Sequence, residues 1–333
     1  MENNLKILFM GTPDFAKDSL EGLIKNGFEI CGVVTQVDKP KGRGMKLVPC
    51  PVKEYALSQN LEVYQPEKIS KNQEFIDKIK DLNPDLICGV AYGKILPKSF
   101  LEIPKYGCIN VHPSLLPKYR GSAPIQWAIL NGDKTTGVTT MYMNEKMDEG
   151  DIILQEIVKI EENETTGELW NRLSEIGAKL LVDTVKKIKE KDGIINRIKQ
   201  TGEFSMAPMI EKKDAKIDWE NMDSLKIKNL VRGLNPILGA YCFLDDKKLK
   251  FWKVENISIE DFINKYEEFK EYEFKLNKMD AGTVLYSHEK EGLYILAKGG
   301  IISVLEIQAE NSKKMDIGSF LRGNQIHVGT ILE

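Results

Sequence analysis

The sequence predicts an α/β protein in which a doubly wound, mostly parallel sheet is followed by a small β-barrel. Apolar strand-like runs alternate with helical segments along residues 1–190, the pattern of a parallel sheet with crossover helices. After residue 212 the texture changes to short strand-like runs separated by turns, which is typical of a small all-β domain. A chain of 333 residues is long enough for about two domains of roughly 150 residues each.

The elements of the first domain follow from its apolar runs and the segments between them. We expect buried strands at residues 5–10, 29–35, 61–64, 85–90 and 108–112, then a hairpin of residues 136–143 with 152–160. We expect helices at residues 14–27, 51–59, 74–82, 123–130 and 166–189. The polar, irregular residues 191–211 are expected to form a linker.

The second domain, residues 212–333, reads as one helix followed by five short strands. The helix is expected at residues 224–234, and the strands at 239–244, 249–256, 282–287, 293–297 and 301–308. Residues 259–280 interrupt this spacing and are rich in Glu, Lys and aromatic residues. We expect them to form a helical or mobile insertion.

Composition and charge exclude several classes of protein. No apolar run approaches the roughly 20 residues that span a bilayer, and the first residues do not read as a secretory signal. The five cysteines are scattered without a C-x-x-C pair, which indicates reduced, buried thiols, a cytoplasmic protein and no structural metal. G-x-G-x-x-G and G-x-x-x-x-G-K-[ST] are both missing, which disfavours a dinucleotide dehydrogenase or a phosphate-loop enzyme.

The strand at residues 108–112 carries the principal candidate site. Its alternation predicts that Asn110 and His112 project from one face at the carboxyl end of a strand, where open α/β sheets bind ligands. Each residue also has a plainer interpretation, since single histidines are more often structural and Asn110 could be a turn residue. Asp148, in the later run M-D-E-G-D, could belong to a solvated acidic loop. The chain has only three histidines, and the order of these residues along it favours a site.

A local basic segment stands out although the net charge is −3. Two glycines and a proline make this segment a mobile loop rather than a helix face. Local charge of this kind can bind nucleic acid, although a solvated loop is an equally good interpretation. The basic residues are Lys39, Lys41, Arg43 and Lys46.

These motifs together resemble the folate-dependent formyltransferases. The resemblance is carried by N-V-H-P-S-L-L-P-K-Y-R-G-S-A-P at residues 110–124 and M-D-E-G-D at 147–151. Further runs single out the branch whose acceptor is a methionyl-tRNA, and the resemblance covers almost the whole chain. These runs lie at residues 11–16, 35–44, 90–93, 216–219 and 234–241. The chain departs from its relatives at Pro113, which is often a small residue, at residues 235–238, which lack an expected tryptophan, and in the long insertion 259–280.

The resemblance implies a formyltransferase, Rossmann-like catalytic domain at residues 1–190 and an OB-like tRNA-binding domain at 212–333. It implies that Asn110, His112 and Asp148 carry out formyl transfer from 10-formyltetrahydrofolate without a metal. The expected acceptor is an initiator methionyl-tRNA, with no membrane or obligatory protein partner. It also implies folate contacts from Ser114, Leu115, Leu116, Pro117, Val90, Ala91 and Tyr92, and tRNA contacts from Lys39, Lys41, Arg43 and Lys46.

The chemistry of acyl transfer explains why these residue types are suitable. Negative charge develops on the formyl oxygen, and Asn110 can donate to it without titrating. His112 can donate or move a proton, and Asp148 can orient the imidazole or accept a proton from the amine. Three rivals stay open: a formyltransferase for a ribonucleotide amine or an amino sugar nucleotide, a hydrolase of formyl-tetrahydrofolate, and a non-catalytic RNA-binding module.

Overall fold

The structure, a computed structural model, describes residues 5–41, 46–272, 276 and 278–333. The chain divides into two compact units. The first unit comprises residues 1–125, 135–160 and 169–209, and the second comprises residues 126–134, 161–168 and 210–333. No helix in the described ranges is long and apolar enough to cross a bilayer.

The first unit is built on a seven-stranded sheet. Its strands are β1 (Lys6–Gly11), β2 (Glu29–Val34), β5 (Val63–Tyr64), β6 (Leu86–Val90), β7 (Cys108–His112), β8 (Thr135–Tyr142) and β9 (Ile152–Lys159). Their order is β5-β2-β1-β6-β7-β8-β9. The first five are parallel, whereas β8 and β9 form the expected antiparallel hairpin beside β7. The predicted parallel-dominated sheet is confirmed.

Among the described residues, five helices lie between these strands, as the alternating pattern predicts, and a sixth follows the last strand. They are α1 (Asp14–Lys25), α2 (Pro51–Ser58), α3 (Gln73–Leu82), α4 (Lys98–Leu101), α5 (Pro124–Leu130) and α6 (Thr166–Glu190). α1 buries Phe15, Leu20 and Leu23, which lie at the spacing of one helix face. α3 begins where the Asn72 side chain accepts a hydrogen bond from the Phe75 amide, because an Asn cap satisfies a free helix donor.

Two segments differ from the sequence-based expectation. The expected basic loop contains a short hairpin, in which β3 (Lys39–Lys41) pairs antiparallel with β4 (Lys46–Val48). Three-residue strands are too short to leave a periodic signal, which is why we expected a loop. Residues 191–211, expected as a linker, instead pair with the first unit through the bridges Ile152–Ile198 and Arg120–Met206.

The second unit is an antiparallel β domain. Its strands are β10 (Ala240–Leu244), β11 (Lys247–Ile257), β12 (Val284–His288), β13 (Gly292–Ala297), β14 (Gly300–Ala309) and β15 (Met315–Asp316). The order is β10-β11-β14-β13-β12, with β15 added to β14. The helices are α7 (Ser224–Gly233), α8 (Ile259–Lys265) and α9 (Ile317–Gly323), with 3₁₀ turns at Lys212–Ala215 and Glu267–Tyr272. The insertion 259–280 is thus helical over much of its described part, and within that part Phe262 packs with Tyr266, Phe269 and Tyr294 of β13.

Residues 330–333 join the two outer strands of this second sheet. The Phe243 amide of β10 donates to the Glu333 carbonyl at 2.7 Å, and the Glu333 amide donates back at 3.0 Å. On the other side the Val284 amide donates to the Thr330 carbonyl at 2.8 Å. Leu332 lies between these contacts and is 1% exposed. The segment therefore covers both sheet edges, which removes free backbone donors and acceptors.

We expect Leu332→Ala to destabilise the second unit by about 2–5 kcal/mol, because it leaves a cavity beneath the bridging segment. Ile331→Ala is the matched control. Ile331 precedes Leu332 and is 50% exposed, so the loss of its side chain should lower the unfolding free energy by less than about 0.5 kcal/mol. Chemical denaturation followed by tryptophan fluorescence measures both variants. Equal losses for the two would show that Leu332 is not a packing residue.

Candidate active site

Strand β7 lies inside the first sheet and places His112 at its carboxyl end. Asn110 pairs with Gly89 of β6 and with Met141 of β8, and His112 pairs with Thr139. Alternating β-forming residues account for this strand, and its interior position accounts for the burial of its apolar face. His112 is buried, whereas Asn110 is half-buried.

The imidazole of His112 lies between a carbonyl and a carboxylate. Its Nε2 is 2.8 Å from the Tyr119 carbonyl oxygen. A carbonyl only accepts hydrogen bonds, so Nε2 donates and Nδ1 is the nitrogen left for another partner. Nδ1 lies 3.6 Å from Asp148 Oδ2, and that oxygen accepts a hydrogen bond from the Gly121 amide at 2.9 Å. The structure therefore brings His112 together with an acidic residue that lies 36 positions later in the chain.

The turn around Asp148 is held in an unusual backbone conformation. Asp148 has φ +54°, in the left-handed region that side chains rarely adopt. At Gly150 an added Cβ would lie 1.6 Å from the Tyr142 carbonyl oxygen. Only glycine fits at that position. The run M-D-E-G-D therefore contains both the Asp148 carboxylate and the glycine that the packing of this turn requires.

The Asn110 side chain makes no hydrogen bond to any residue that the structure describes. It lies beside Gly89, where an added Cβ would be 3.6 Å from Asn110 Oδ1 and 3.3 Å from the Met143 sulfur. The absence of a side chain at Gly89 leaves room beside the amide. Asn110 is therefore a half-exposed donor at the carboxyl edge of the sheet, available to a ligand.

The loop after β7 is anchored to β8. Thr139 Oγ1 donates to the Ser114 carbonyl at 2.6 Å and lies 3.2 Å from the Leu116 amide, which donates to it. Ser114 and Leu116 are buried, and the Leu116 carbonyl also accepts a hydrogen bond from Gln155 Nε2 at 3.0 Å. Leu115 and Pro117 are half-buried. The Leu116–Pro117 peptide bond is cis.

The turn after β6 exposes Ala91 at the same edge of the sheet. Val90 is fully buried, Ala91 is exposed with φ +46°, and Tyr92 is 6% exposed. The Tyr92 carbonyl accepts a hydrogen bond from Gln36 Nε2 at 2.7 Å. Because β2, β6 and β7 are parallel, these turns leave the sheet at the edge where His112 lies. Burial raises the pKa of the Tyr92 hydroxyl to about 12, so the phenol stays neutral.

Two thiols lie on the strands that carry the site. Burial raises the pKa of the Cys108 thiol to about 12 and moves that of Cys88 well above its ordinary value. A thiolate is the reactive form of cysteine, so both thiols stay protonated and unreactive near neutral pH. Covalent catalysis by either of them is disfavoured.

Of the basic residues identified in the sequence, Lys39 is exposed on β3. The backbones of Lys41 and Lys46 pair with each other across the hairpin, and Arg43 lies outside the described residues. The base of the hairpin is fixed by Asp38, which accepts hydrogen bonds from Lys53 and from Gln65 at 2.6 and 2.9 Å. These contacts hold the pKa of Asp38 below its ordinary value.

Sequence reasoning missed the residues that surround the His112–Asp148 pair. The segment after α6 pairs with the loop after β7, because Arg120 donates its amide to the Ser205 carbonyl and accepts from the Ala207 amide. Arg120 is 8% exposed although it is charged. Arg120 could have been found from the sequence, because it lies in the motif at residues 110–124. No sequence pattern indicates residues 200–207.

Comparison with known families gives a consistent result for both units. Residues 5–185 match the family described as Formyl transferase, and residues 209–325 match Formyl transferase, C-terminal domain. A methionyl-tRNA formyltransferase of Clostridioides difficile is 47% identical over 98% of this chain and 100% of its own length. A methionyl-tRNA formyltransferase of Caldanaerobacter subterraneus is 45% identical over 99% of this chain and 100% of its own length.

Solved structures share the fold at low sequence identity. A sugar 3N-formyl transferase, WlaRD, solved in the presence of dTdp and 5-N-Formyl-THF, has a TM-score of 0.61 and 20% identity, covering 93% of this chain and 99% of its own. HypX from Aquifex aeolicus, in complex with tetrahydrofolic acid, has a TM-score of 0.59 and 16% identity. That comparison covers 98% of this chain and 51% of HypX.

Proposed function

The chain belongs to the methionyl-tRNA formyltransferase family, and we propose that its reaction takes place around Asn110, His112 and Asp148. The reaction moves a formyl group from formyl-tetrahydrofolate to the amino group of the methionine carried by methionyl-tRNA. The 3.6 Å approach of His112 Nδ1 to Asp148 Oδ2 at the carboxyl edge of the sheet is the observation that supports this placement. We further propose 10-formyltetrahydrofolate as the donor and the initiator tRNA as the acceptor.

Each residue has a separate role in this proposal. Asn110 donates its amide to the formyl oxygen as negative charge develops there. The attacking α-amine has a pKa of about 7.7–8.0 in peptides, so part of it is neutral near pH 7. The amine attacks the formyl carbon, and the His112–Asp148 pair takes the proton that the amine loses, through the ring nitrogen that the Tyr119 carbonyl leaves free. When the tetrahedral intermediate collapses, the bond between the formyl carbon and the folate nitrogen breaks, the pair returns the proton to that nitrogen, and tetrahydrofolate leaves.

The residues at this edge fit the folate donor. Ala91, which is exposed, and Ile95, which is 65% exposed, provide an apolar surface. The half-exposed amide of Asn110 has no partner within the described ranges and suits a carbonyl acceptor. Residues 90–92 and 114–117 would hold the pterin, and Ala91, Leu115 and Pro117 are the members of these runs that are not buried. When bound, formyl-tetrahydrofolate supplies the activated one-carbon unit.

Both units contribute to tRNA binding in this proposal. Because β2 and β7 are parallel, the basic hairpin after β2 leaves the sheet at the edge that carries His112. In the second unit, Lys248 Nζ lies 4.2 Å from the centre of the Tyr241 ring, which is 5.6 Å from the Phe243 ring. Lysines interleaved with aromatic rings on a β domain suit a nucleic-acid strand. We propose that residues 1–190 form the catalytic domain and that residues 212–333 form the tRNA-binding domain.

Salt is expected to weaken formylation, because lysine and arginine contacts to phosphates release counterions. We expect Arg43→Ala to reduce the slope of log kcat/KM against log salt by about 0.7–0.9, the value of one phosphate contact. Lys25→Ala is the control, because that side chain is 69% exposed at the far end of α1 and should leave the slope unchanged. A rate indifferent to salt and to Arg43→Ala would contradict the tRNA role of the hairpin.

One assay separates this function from its nearest rival. Purified protein and 10-formyltetrahydrofolate are incubated with initiator methionyl-tRNA, elongator methionyl-tRNA, a ribonucleotide amine or an amino sugar nucleotide. We expect rapid formylation of the initiator methionyl-tRNA alone. Preferred formylation of a small amine would support the alternative, a small-acceptor formyltransferase. Release of formate without any acceptor would support a hydrolase.

A further inference from the structure

Gln200 joins the two loops that hold the partners of His112. Its Nε2 donates to the carbonyl oxygens of Asp148 and Gly150, both at 2.8 Å. Its Oε1 accepts from Nε and Nη2 of Arg120, at 3.0 and 2.8 Å. Both amide hydrogens and both lone pairs of the oxygen thus have partners. One side chain therefore ties the Asp148 turn to the loop after β7.

The loop on the Arg120 side carries the other contacts of the imidazole. The Tyr119 carbonyl, one residue before Arg120, accepts from His112 Nε2 at 2.8 Å. The Gly121 amide, one residue after it, donates to Asp148 Oδ2 at 2.9 Å. Gln200 therefore fixes the residue between these two contacts. A shift of Arg120 would move both neighbours of the imidazole.

The guanidinium of Arg120 is also held from its other sides. Its carbon atom lies 4.9 Å from the centre of the Phe204 ring, and its Nη1 lies 3.5 Å from Glu149 Oε1. Glu149 is flanked by the two residues whose carbonyls Gln200 engages. Arg120, Glu149 and Gln200 thus link the two loops, and removing Gln200 leaves Nε and Nη2 of the buried Arg120 side chain without that acceptor.

We propose that Gln200 is a positioning residue that sets the approach of the Asp148 carboxylate to the His112 imidazole. It acts on the main chain of Asp148, which has φ +54° and needs outside contacts to hold that conformation. The role in catalysis rests on the proposed function, whereas the positioning itself is a property of the folded first unit. Gln200 lies within the segment expected as a linker, so this assigns that segment a part in the site.

A double-mutant cycle tests whether Gln200 acts through Asp148. We expect Gln200→Ala to lower kcat by on the order of 10²-fold, the effect of a misplacement of about 1 Å. KM for methionyl-tRNA should change by less than about threefold, because the substrate contacts remain. In an Asp148→Asn background, Gln200→Ala should cost less than about twofold more, since the group it positions has already been altered. Additive losses would overturn the proposal.

The control and a second readout separate positioning from general destabilisation. Gln308 is the matched control, because it is also half-buried and its side chain bonds to Trp252 Nε1 and the Ser312 carbonyl. Gln308→Ala should leave kcat unchanged. The chain has three histidines, so the ring signals of His112 can be assigned by NMR with His112→Ala. They should shift in Gln200→Ala and stay in place in Gln308→Ala.

The NMR readout does not depend on formyl transfer. A wild-type protein that fails to formylate methionyl-tRNA, but whose His112 signals respond to Gln200→Ala, would overturn the proposed function and support the positioning role. Unshifted His112 signals would overturn the positioning role whatever the activity. If Gln200→Ala does not fold, Gln200→Met preserves most of the side-chain length and is judged by the same two measurements.

Discussion

Replacing His112 with alanine is expected to lower kcat for formyl transfer by about 10²- to 10⁴-fold, the range for a positioned acid–base group. The physical reason is that the ring lies between the Tyr119 carbonyl, at 2.8 Å, and the Asp148 carboxylate, at 3.6 Å. Without it, the proton of the attacking amine has no fixed acceptor beside the carboxylate. Steady-state kinetics at saturating donor and varied methionyl-tRNA measure the effect.

His288→Ala is the control for this change. The His288 side chain is 47% exposed on β12, so its loss removes an imidazole from the chain without touching the first sheet and should leave kcat unchanged. Asn110→Ala extends the test and should cost about 10²- to 10³-fold, the value of one preorganised donor. Near-wild-type kcat in both His112→Ala and Asn110→Ala would remove this site as the place of reaction.

Gly150→Ala is expected to damage both activity and stability. The new Cβ would lie 1.6 Å from the Tyr142 carbonyl oxygen and 2.7 Å from its carbon, so the backbone must move. Overpacking of this kind costs about 1–3 kcal/mol or more of unfolding free energy. The movement would also displace Asp148, two residues earlier, and lower kcat by on the order of 10²-fold. Denaturant unfolding and steady-state kinetics measure the two effects.

Gly22→Ala is the matched glycine variant in the same unit. A Cβ at Gly22 would meet its nearest neighbours at 3.6 Å, an ordinary contact distance, and Gly22 lies within helix α1. Alanine is favoured over glycine in a helix by roughly 1 kcal/mol, so this variant should keep full activity and gain stability. If Gly150→Ala also kept full activity and stability, the close packing at the Asp148 turn would be required for neither property.

The long elements of the fold could be predicted because their patterns are local. The strand at Cys108–His112 and the hairpin of β8 with β9 were predicted nearly to the residue, since alternation and turn residues decide them. The hairpin of β3 and β4 was missed because strands of three residues are too short to show a period. Helix α9 was also missed, since seven residues give less than two turns.

The candidate site could be predicted only in part, for a related reason. Asn110 and His112 share a strand, so their common face follows from the period of two. Gln200 contacts Arg120 across 80 positions and Asp148 across 52. No periodic pattern records such contacts, and a polar segment rich in charge reads as a linker. Its hydrogen bonds exist only once the sheet has brought the two loops together.

The interior position of β7 has a consequence for how the site responds to thermal motion. The strand is flanked by β6 on one side and β8 on the other, so its backbone amides are shielded from water by both neighbours. Fraying, which affects loops and edge strands at little cost, cannot reach Asn110 or His112 without breaking the sheet. Asn110 and His112 thus lie on a strand that opens only when the sheet unfolds cooperatively. Movements that admit a substrate can then occur in the surrounding turns without displacing these two residues.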